Sequence, residues 1–152
     1  MQPRDLYHTG IVVEDLDATR RWLTELAGYQ WCDEYAGEQV VETPGGEQTV
    51  PLRFAYSMSE PRLELIAAVP GTVWVPATSS IHHLGYWSDD VDRDVATLAR
   101  RGLAVEVRAP MPDGTTRWAY CRGGRGPRVE LVSRLLRPVM AQWFATGHRP
   151  GG

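Results

Sequence analysis

His8-Thr9-Gly10-Ile11-Val12-Val13-Glu14-Asp15-Leu16-Asp17 and His83-Leu84-Gly85-Tyr86-Trp87-Ser88-Asp89-Asp90-Val91-Asp92 are two copies of one pattern. The His, the Gly and both Asp coincide at a constant offset of 75. Further on, Arg62-Leu63-Glu64-Leu65-Ile66 matches Arg128-Val129-Glu130-Leu131-Val132 at an offset of 66. The second copy is therefore nine residues shorter, and the surplus is assigned to the Gly- and Glu-rich stretch Glu34–Gln48. A repeat of this period means two similar modules that share a core.

Each copy reads alike. Tyr7–Val13 is apolar and β-branched, as a buried strand should be. Asp15 can cap a helix by accepting from the free amides of its first turn, and Gly28 can stop it. Leu16, Trp22, Leu23 and Leu26 form its apolar stripe, read as core. In the second copy Asp90 is the cap, Val91, Val95 and Leu98 are the stripe, and Gly102 is the stop. Three strands are expected after each helix: about 29–35, 50–58 and 63–69, then about 104–108, 116–122 and 128–133. The reading is α+β, one domain of two βαβββ modules: module one about 5–69, a connector 70–80, module two about 81–134. A C-terminal apolar helix, about 135–145, should lie on the body or on a partner chain. His148–Gly152 should fray.

The chain has 152 residues, a net charge of −3 and 43% hydrophobic residues, which is globular composition. A near-neutral balance argues against nucleic acid, since phosphate binding needs a basic face. All 16 basic residues are Arg. Without Lys there is no Schiff-base nucleophile and no phosphate-loop Lys. No apolar run is long enough to span a membrane, and no signal core opens the chain. Cys32 and Cys121 lack metal-binding spacing; they allow one disulfide, but two buried, reduced thiols are the favoured reading. A soluble cytoplasmic protein is expected.

The chemistry lies in His8, Glu64, His83 and Glu130, one His and one Glu at matching places in each copy. A Glu between apolar neighbours in a strand fit for burial must be paired, protonated or metal-bound. The bland alternative pairs Glu64 and Glu130 with Arg62, Arg128 or Arg53 and makes both His core residues. Four such residues in register favour a divalent metal: Zn, Ni, Co, Mn or Fe. His82 is read as a satisfied structural histidine facing away from the metal. The run Arg122-Gly-Gly-Arg-Gly-Pro-Arg128 is read as a hairpin turn, although Arg122 could favour an anionic handle on a ligand. Trp87, Trp118 and Tyr56 are candidates to line a cavity and stack on substrate.

These motifs, His8-x-Gly10, Leu63-Glu64-Leu65-Ile66, His83-x-Gly85 and Val129-Glu130-Leu131-Val132, resemble those of the vicinal oxygen chelate superfamily. This is the group of glyoxalase I, methylmalonyl-CoA epimerase, extradiol dioxygenases and bleomycin resistance proteins. The resemblance spans roughly residues 5–133. It implies a curved mixed sheet around a metal cavity, with His8, Glu64, His83 and Glu130 as ligands, and commonly a homodimer. It implies a metal-dependent lyase, isomerase or epimerase that takes a small oxygen-chelating substrate through an enolate, with Glu130 as ligand and base. Glu47 falls near the place of the epimerase's other base. The two-His, two-Glu set points to Ni, Co, Mn or Zn rather than Fe. Two alternatives stand: a non-catalytic resistance protein that sequesters an aromatic natural product or antibiotic, and an iron-dependent dioxygenase.

Overall fold

The computed structural model describes residues 1–150. The first module runs β1 (Leu6–Val13), α1 (Leu16–Ala27), β2 (Tyr35–Thr43), β3 (Gly46–Tyr56) and β4 (Leu63–Ala67). The second runs β5 (His83–Ser88), α2 (Val91–Arg100), β6 (Ala104–Pro110), β7 (Thr116–Arg122) and β8 (Arg128–Ser133), and α3 (Arg137–Thr146) follows. The fold is α+β with a mixed sheet. The strands close in the order β1-β4-β3-β2-β6-β7-β8-β5, with β5 back against β1. Closure leaves no open sheet edge, the main liability of a mixed sheet this size.

Both helices start where the sequence says. Asp15 accepts from the Ala18 amide at 2.8 Å and Asp90 from the Arg93 amide at 2.9 Å. Gly28 and Gly102 take the left-handed conformation that ends each helix, at φ 74° and 82°. The two modules pair their strands alike. Gly10 sits beside Glu64 on the parallel pair β1–β4, and Gly85 beside Glu130 on β5–β8. The modules join along antiparallel β1–β5, where His8 faces Gly85 and Gly10 faces His83. On the far side a single β2–β6 pairing, Glu42 with Arg108, closes the barrel, and the same two side chains form an ion pair at 2.7 Å.

The barrel interior is packed by Val12, Val41, Val50, Leu52, Ile66, Trp74, Val107, Ala109 and Tyr120. A second cluster lies between α2 and the sheet: Val91, Leu98, Ala119, Cys121 and Leu131. α3 packs on the body, with Trp143 buried against Cys32 and Tyr56. Cys32 and Cys121 are both buried free thiols.

Four expectations need correction. Residues 29–34 form no strand, and the strand here begins only at Tyr35; Trp31 makes an isolated bridge to Ser57. The strand expected at about 50–58 is β3, Gly46–Tyr56, and it pairs with a strand at Tyr35–Thr43 that was not expected, so the surplus in Glu34–Gln48 appears as longer hairpin strands. Its Gly and Glu content masked the alternation of Tyr35, Gln39 and Val41 on one face. The α1 stripe is not core: Trp22 is 57% and Leu26 64% exposed, and only Leu16 is buried. The C-terminal end is tied down: the Asp33 amide donates to the Gly147 carbonyl at 2.6 Å, and the His148 ring lies 3.0 Å from the Asp33 carboxylate. Gly151 and Gly152, part of the expected fraying end, lie outside the described residues.

Candidate metal centre

The repeat brings His8, Glu64, His83 and Glu130 to one place. One ligand-type atom from each lies within 4.8 Å of the others, and all four residues are buried. All come from one chain. His8 Nε2 and His83 Nε2 are 2.8 Å apart. Glu130 Oε2 is 3.1 Å from His8 Nε2 and 3.5 Å from His83 Nε2. Glu64 Oε2 is 3.1 Å from His83 Nε2 and 3.5 Å from His8 Nε2. The pattern has the two-fold symmetry of the repeat.

Glycine makes room for it. A Cβ on Gly10 would lie 1.9 Å from the His83 ring, and a Cβ on Gly85 would lie 1.9 Å from the His8 ring. Each copy's Gly therefore accommodates the other copy's His. The need for Gly is steric, because neither glycine has a positive φ.

The cluster is electrostatically tense. Burial favours a neutral His8, but the Glu130 and Glu64 carboxylates outweigh it and raise its pKa to about 9. Burial alone would push the Glu64 carboxyl up; His8 and His83 instead hold it well below the usual carboxylate range. Oε2 of Glu64 and Oε2 of Glu130 are nevertheless buried without a hydrogen bond of good geometry, as is Nδ1 of His8. Unsatisfied carboxylate oxygens in a core need an occupant.

The donors fit a divalent ion. Ligand atoms ~2.1 Å from one ion stand ~3.0 Å apart at a right angle and ~3.4 Å apart in a tetrahedron. The separations of 2.8–3.5 Å bracket those values. Two neutral imidazoles and two carboxylates are a donor set suited to such an ion.

His82 departs from its reading. It is buried and is not among the four clustered residues, but it does not face away. Its Nε2 is 2.8 Å from the Val73 carbonyl, and its Nδ1 is 3.0 Å from Nδ1 of His83. Burial drives its pKa down to about 4, against the pull of the Val73 carbonyl, so the ring carries one proton. A carbonyl only accepts, so that proton sits on Nε2. His82 Nδ1 must then accept from His83 Nδ1–H, so Nε2, the atom in the cluster, is the only His83 nitrogen that can offer a lone pair to an ion. His82 thus fixes which nitrogen of His83 faces the cluster.

A cavity of about 270 Å³ opens onto the carboxylates, with Glu64 and Glu130 in its wall. Tyr56 and Trp118 line it, as expected. Tyr7, Phe54, Trp74, Tyr120 and Trp143 also line it, and the sequence reading passed them over as lining. Tyr120 had a signal: it sits beside Glu130 across the sheet as Tyr56 sits beside Glu64. Burial raises the Tyr7, Tyr56 and Tyr120 hydroxyls well above their ordinary value, so they stay protonated.

Three candidates fall elsewhere. Trp87 stacks on Tyr7 at 3.9 Å and borders a separate hollow beneath α3. Arg122 is exposed at the end of β7. Glu47 is exposed near the β2–β3 turn, on the face opposite that of Leu52, Phe54 and Tyr56. Nine residue steps of strand separate it from Tyr56, roughly 30 Å of rise. It cannot reach the cluster as a base.

The chain belongs to the glyoxalase/bleomycin resistance protein/dioxygenase superfamily, whose model matches residues 7–121. That span holds His8, Glu64 and His83, and the fold adds Glu130. A variant of Streptomyces coelicolor methylmalonyl-CoA epimerase in complex with 2-nitronate-propionyl-CoA is similar in structure. Its TM-score is 0.58 at 19% identity, covering 85% of this chain and 96% of that one. The Mycobacterium tuberculosis methylmalonyl-CoA epimerase gives 0.54 at 19%, covering 85% and 87%. A mutant of 4-hydroxymandelate synthase from Streptomyces coelicolor gives 0.55 at 21%, covering 90% of this chain and 40% of that one. At these identities the likeness is one of fold. A search of curated proteins found no match. Among the described residues no helix is long and apolar enough to cross a membrane.

Proposed function

We propose that the protein is a metal-dependent enzyme that moves a proton next to a carbonyl of a small oxygen-chelating substrate, as a lyase, isomerase or epimerase. The observation that carries this is the pair of buried carboxylates with unsatisfied oxygens, Glu64 and Glu130, both in the wall of an aromatic cavity and both beside two imidazoles. His8, Glu64, His83 and Glu130 would hold the ion. A divalent metal held there, Ni, Co, Mn or Zn, would supply Lewis-acid chemistry, which makes a C–H beside a carbonyl more acidic.

The chain supplies the rest. Glu130 takes the proton and returns it. Glu64 and Glu130 are the only carboxylates in the described cavity wall, and each lies within 3.5 Å of both histidines. If inversion needs a second base, Glu64 takes the role that Glu47 cannot. The protonated hydroxyls of Tyr7, Tyr56 and Tyr120 can donate to an oxygen as it gains negative charge. Leu136, Val139, Met140 and Trp143 close the cavity from the α3 side and limit water.

The deciding experiment is metal content per chain on untagged protein, followed by deuterium exchange into 2-oxo thiohemiacetals and acyl-CoA esters. Near-stoichiometric Ni, Co, Mn or Zn with exchange supports the proposal. Stoichiometric iron with oxygen uptake on catechols replaces it with a dioxygenase. No metal after incubation with each ion replaces it with the binding-protein reading, which the aromatic wall of Trp74, Trp118 and Tyr120 favours.

A further inference from the structure

Arg117 stands where strand alternation would not put it. On β7, Ala119 and Cys121 point out of the barrel into the cluster under α2. Strict alternation would send Arg117 the same way. Pairing with β6 breaks at this point: Ala109 pairs with Trp118, but Pro110 pairs with Thr116. Arg117 is therefore the extra residue of a β-bulge, a device that re-aims a side chain. Thr116 turns outward, and its hydroxyl donates to Asp92 at 2.5 Å. Arg117 turns inward and lines the cavity next to Trp118. The matching hairpin of the first module, β2–β3, keeps unbroken register throughout. The bulge belongs to one copy only.

The re-aimed guanidinium lacks an anion. Its NH2 donates to the Gln39 side-chain oxygen, and Gln39 in turn donates to the Tyr35 hydroxyl. Its Nε is buried and has no partner. Among the described residues no carboxylate pairs with it, and burial lowers its pKa. A half-buried cation without a counter-charge is costly. Arg149, stacked over the Tyr35 ring at 4.7 Å, adds a second positive charge to the same wall. Tyr120 pairs with Glu130, and Arg117 lies three residues before Tyr120, so strand rise places it ~10 Å from the carboxylates. Trp118 and Tyr120 lie between.

We infer that the natural ligand is a planar or aromatic acid: vicinal oxygens at the metal centre, a flat body against Trp118 and Tyr120, and a remote carboxylate or similar anion on Arg117. This rests on the metal-centre reading for the chelating end alone. The anion site stands on Arg117 itself.

The test uses 3,4-dihydroxybenzoate, which carries vicinal oxygens at one end and a carboxylate at the other, and 4-methylcatechol, which lacks the charge. Binding is read by tryptophan fluorescence, with and without metal, in the wild type and in Arg117→Gln. The expected result is at least tenfold tighter binding of the carboxylated probe to the wild type. Arg117→Gln removes that preference, Arg117→Lys keeps part of it, and 4-methylcatechol affinity is unchanged. The Arg117→Gln melting temperature should stay level or rise, because the side chain is unsatisfied in the free protein. A structural arginine would lower it. Equal affinity for the two probes, or an equal loss of both in Arg117→Gln, overturns the inference. So does failure of the carboxylated probe to bind in any state. If metal strengthens neither probe, the metal-centre reading fails, while the Arg117-dependent preference for the carboxylate persists in metal-free protein.

Discussion

Gly10→Ala adds one methyl group at the centre of the molecule. The new Cβ would stand 1.9 Å from Cε1 of His83, where carbon atoms in contact keep ~3.5 Å or more. The ring must retreat by ~1.5 Å, and a functional constellation tolerates only ~0.5 Å. His83 has nowhere to go. It is fully buried, with His82 behind it and His8 in front. Overpacking of this kind costs ~1–3 kcal/mol, or roughly 2–12 °C in melting temperature for a domain this size. Metal affinity should fall at least ~10–100-fold, the range that disturbing a ligand's support commonly costs.

The assay is thermal denaturation of metal-free protein together with a metal titration, run as a double-mutant cycle. Gly10→Ala should be costly in the wild type and nearly free in a His83→Ala background, where the ring is gone. The coupling should be ~1–3 kcal/mol. Gly85→Ala with His8→Ala should give the same result from the other module. A Gly10→Ala protein with unchanged melting temperature and unchanged metal affinity would refute the reasoning. So would an equal penalty in both backgrounds.

Three further outcomes are expected. Glu130→Ala should abolish metal binding and any turnover; full metal occupancy in that variant would sink the site assignment. His82→Ala should weaken metal binding ~10–100-fold without removing a ligand, because His83 loses the acceptor that fixes its tautomer. His82→Asn, which keeps an acceptor, should recover part of the loss, and wild-type affinity in His82→Ala would refute the role. Metal affinity should rise with pH. His8 in the metal-free protein holds its proton up to about 9, and the ion must displace it. The apparent affinity should therefore climb towards tenfold per pH unit and level off above about 9; a flat titration between pH 6 and 8 would contradict the ion pairs of His8 with Glu64 and Glu130.

The clustering of His8, Glu64, His83 and Glu130 was legible because repetition is a signal that survives sequence divergence. Two His and two Glu in register, each Glu flanked by Leu or Val, pointed to one buried place before any strand was paired. The α1 and α2 caps were legible because Asp and Gly act through their nearest neighbours. Other features needed pairing that no local pattern carries. Gly10 looked like part of a short motif with His8, its neighbour in sequence, but its physical partner is His83 in the other copy. His82 looked structural because its own segment says nothing of Val73, nine residues back. Glu47 lay near a plausible place by alignment, and only the unbroken β2–β3 register shows that it points away from the cavity. Trp22 and Leu26 obeyed helical spacing, yet spacing fixes which residues share a face and not whether anything covers that face.

Symmetry and its breaking divide the labour of the site. What both copies repeat is the centre: a His from each first strand, a Glu from each last strand, and a Gly that admits the opposite ring. Such a frame can hold an ion but cannot choose a substrate, because two equivalent halves present the same chemistry to both sides. Choice requires features that one half has and the other lacks. The structure has two of them at the cavity. α3 follows only the second module and closes the wall with Trp143. The bulge at Arg117 interrupts only the second module's hairpin and turns a cation inward. One extra residue in a strand shifts every side chain before it to the other face, so the bulge also exchanges Thr116 for Arg117 as the inward group. The alternation that a sequence reader relies on fails at this point, and it fails where the cavity acquires its charge.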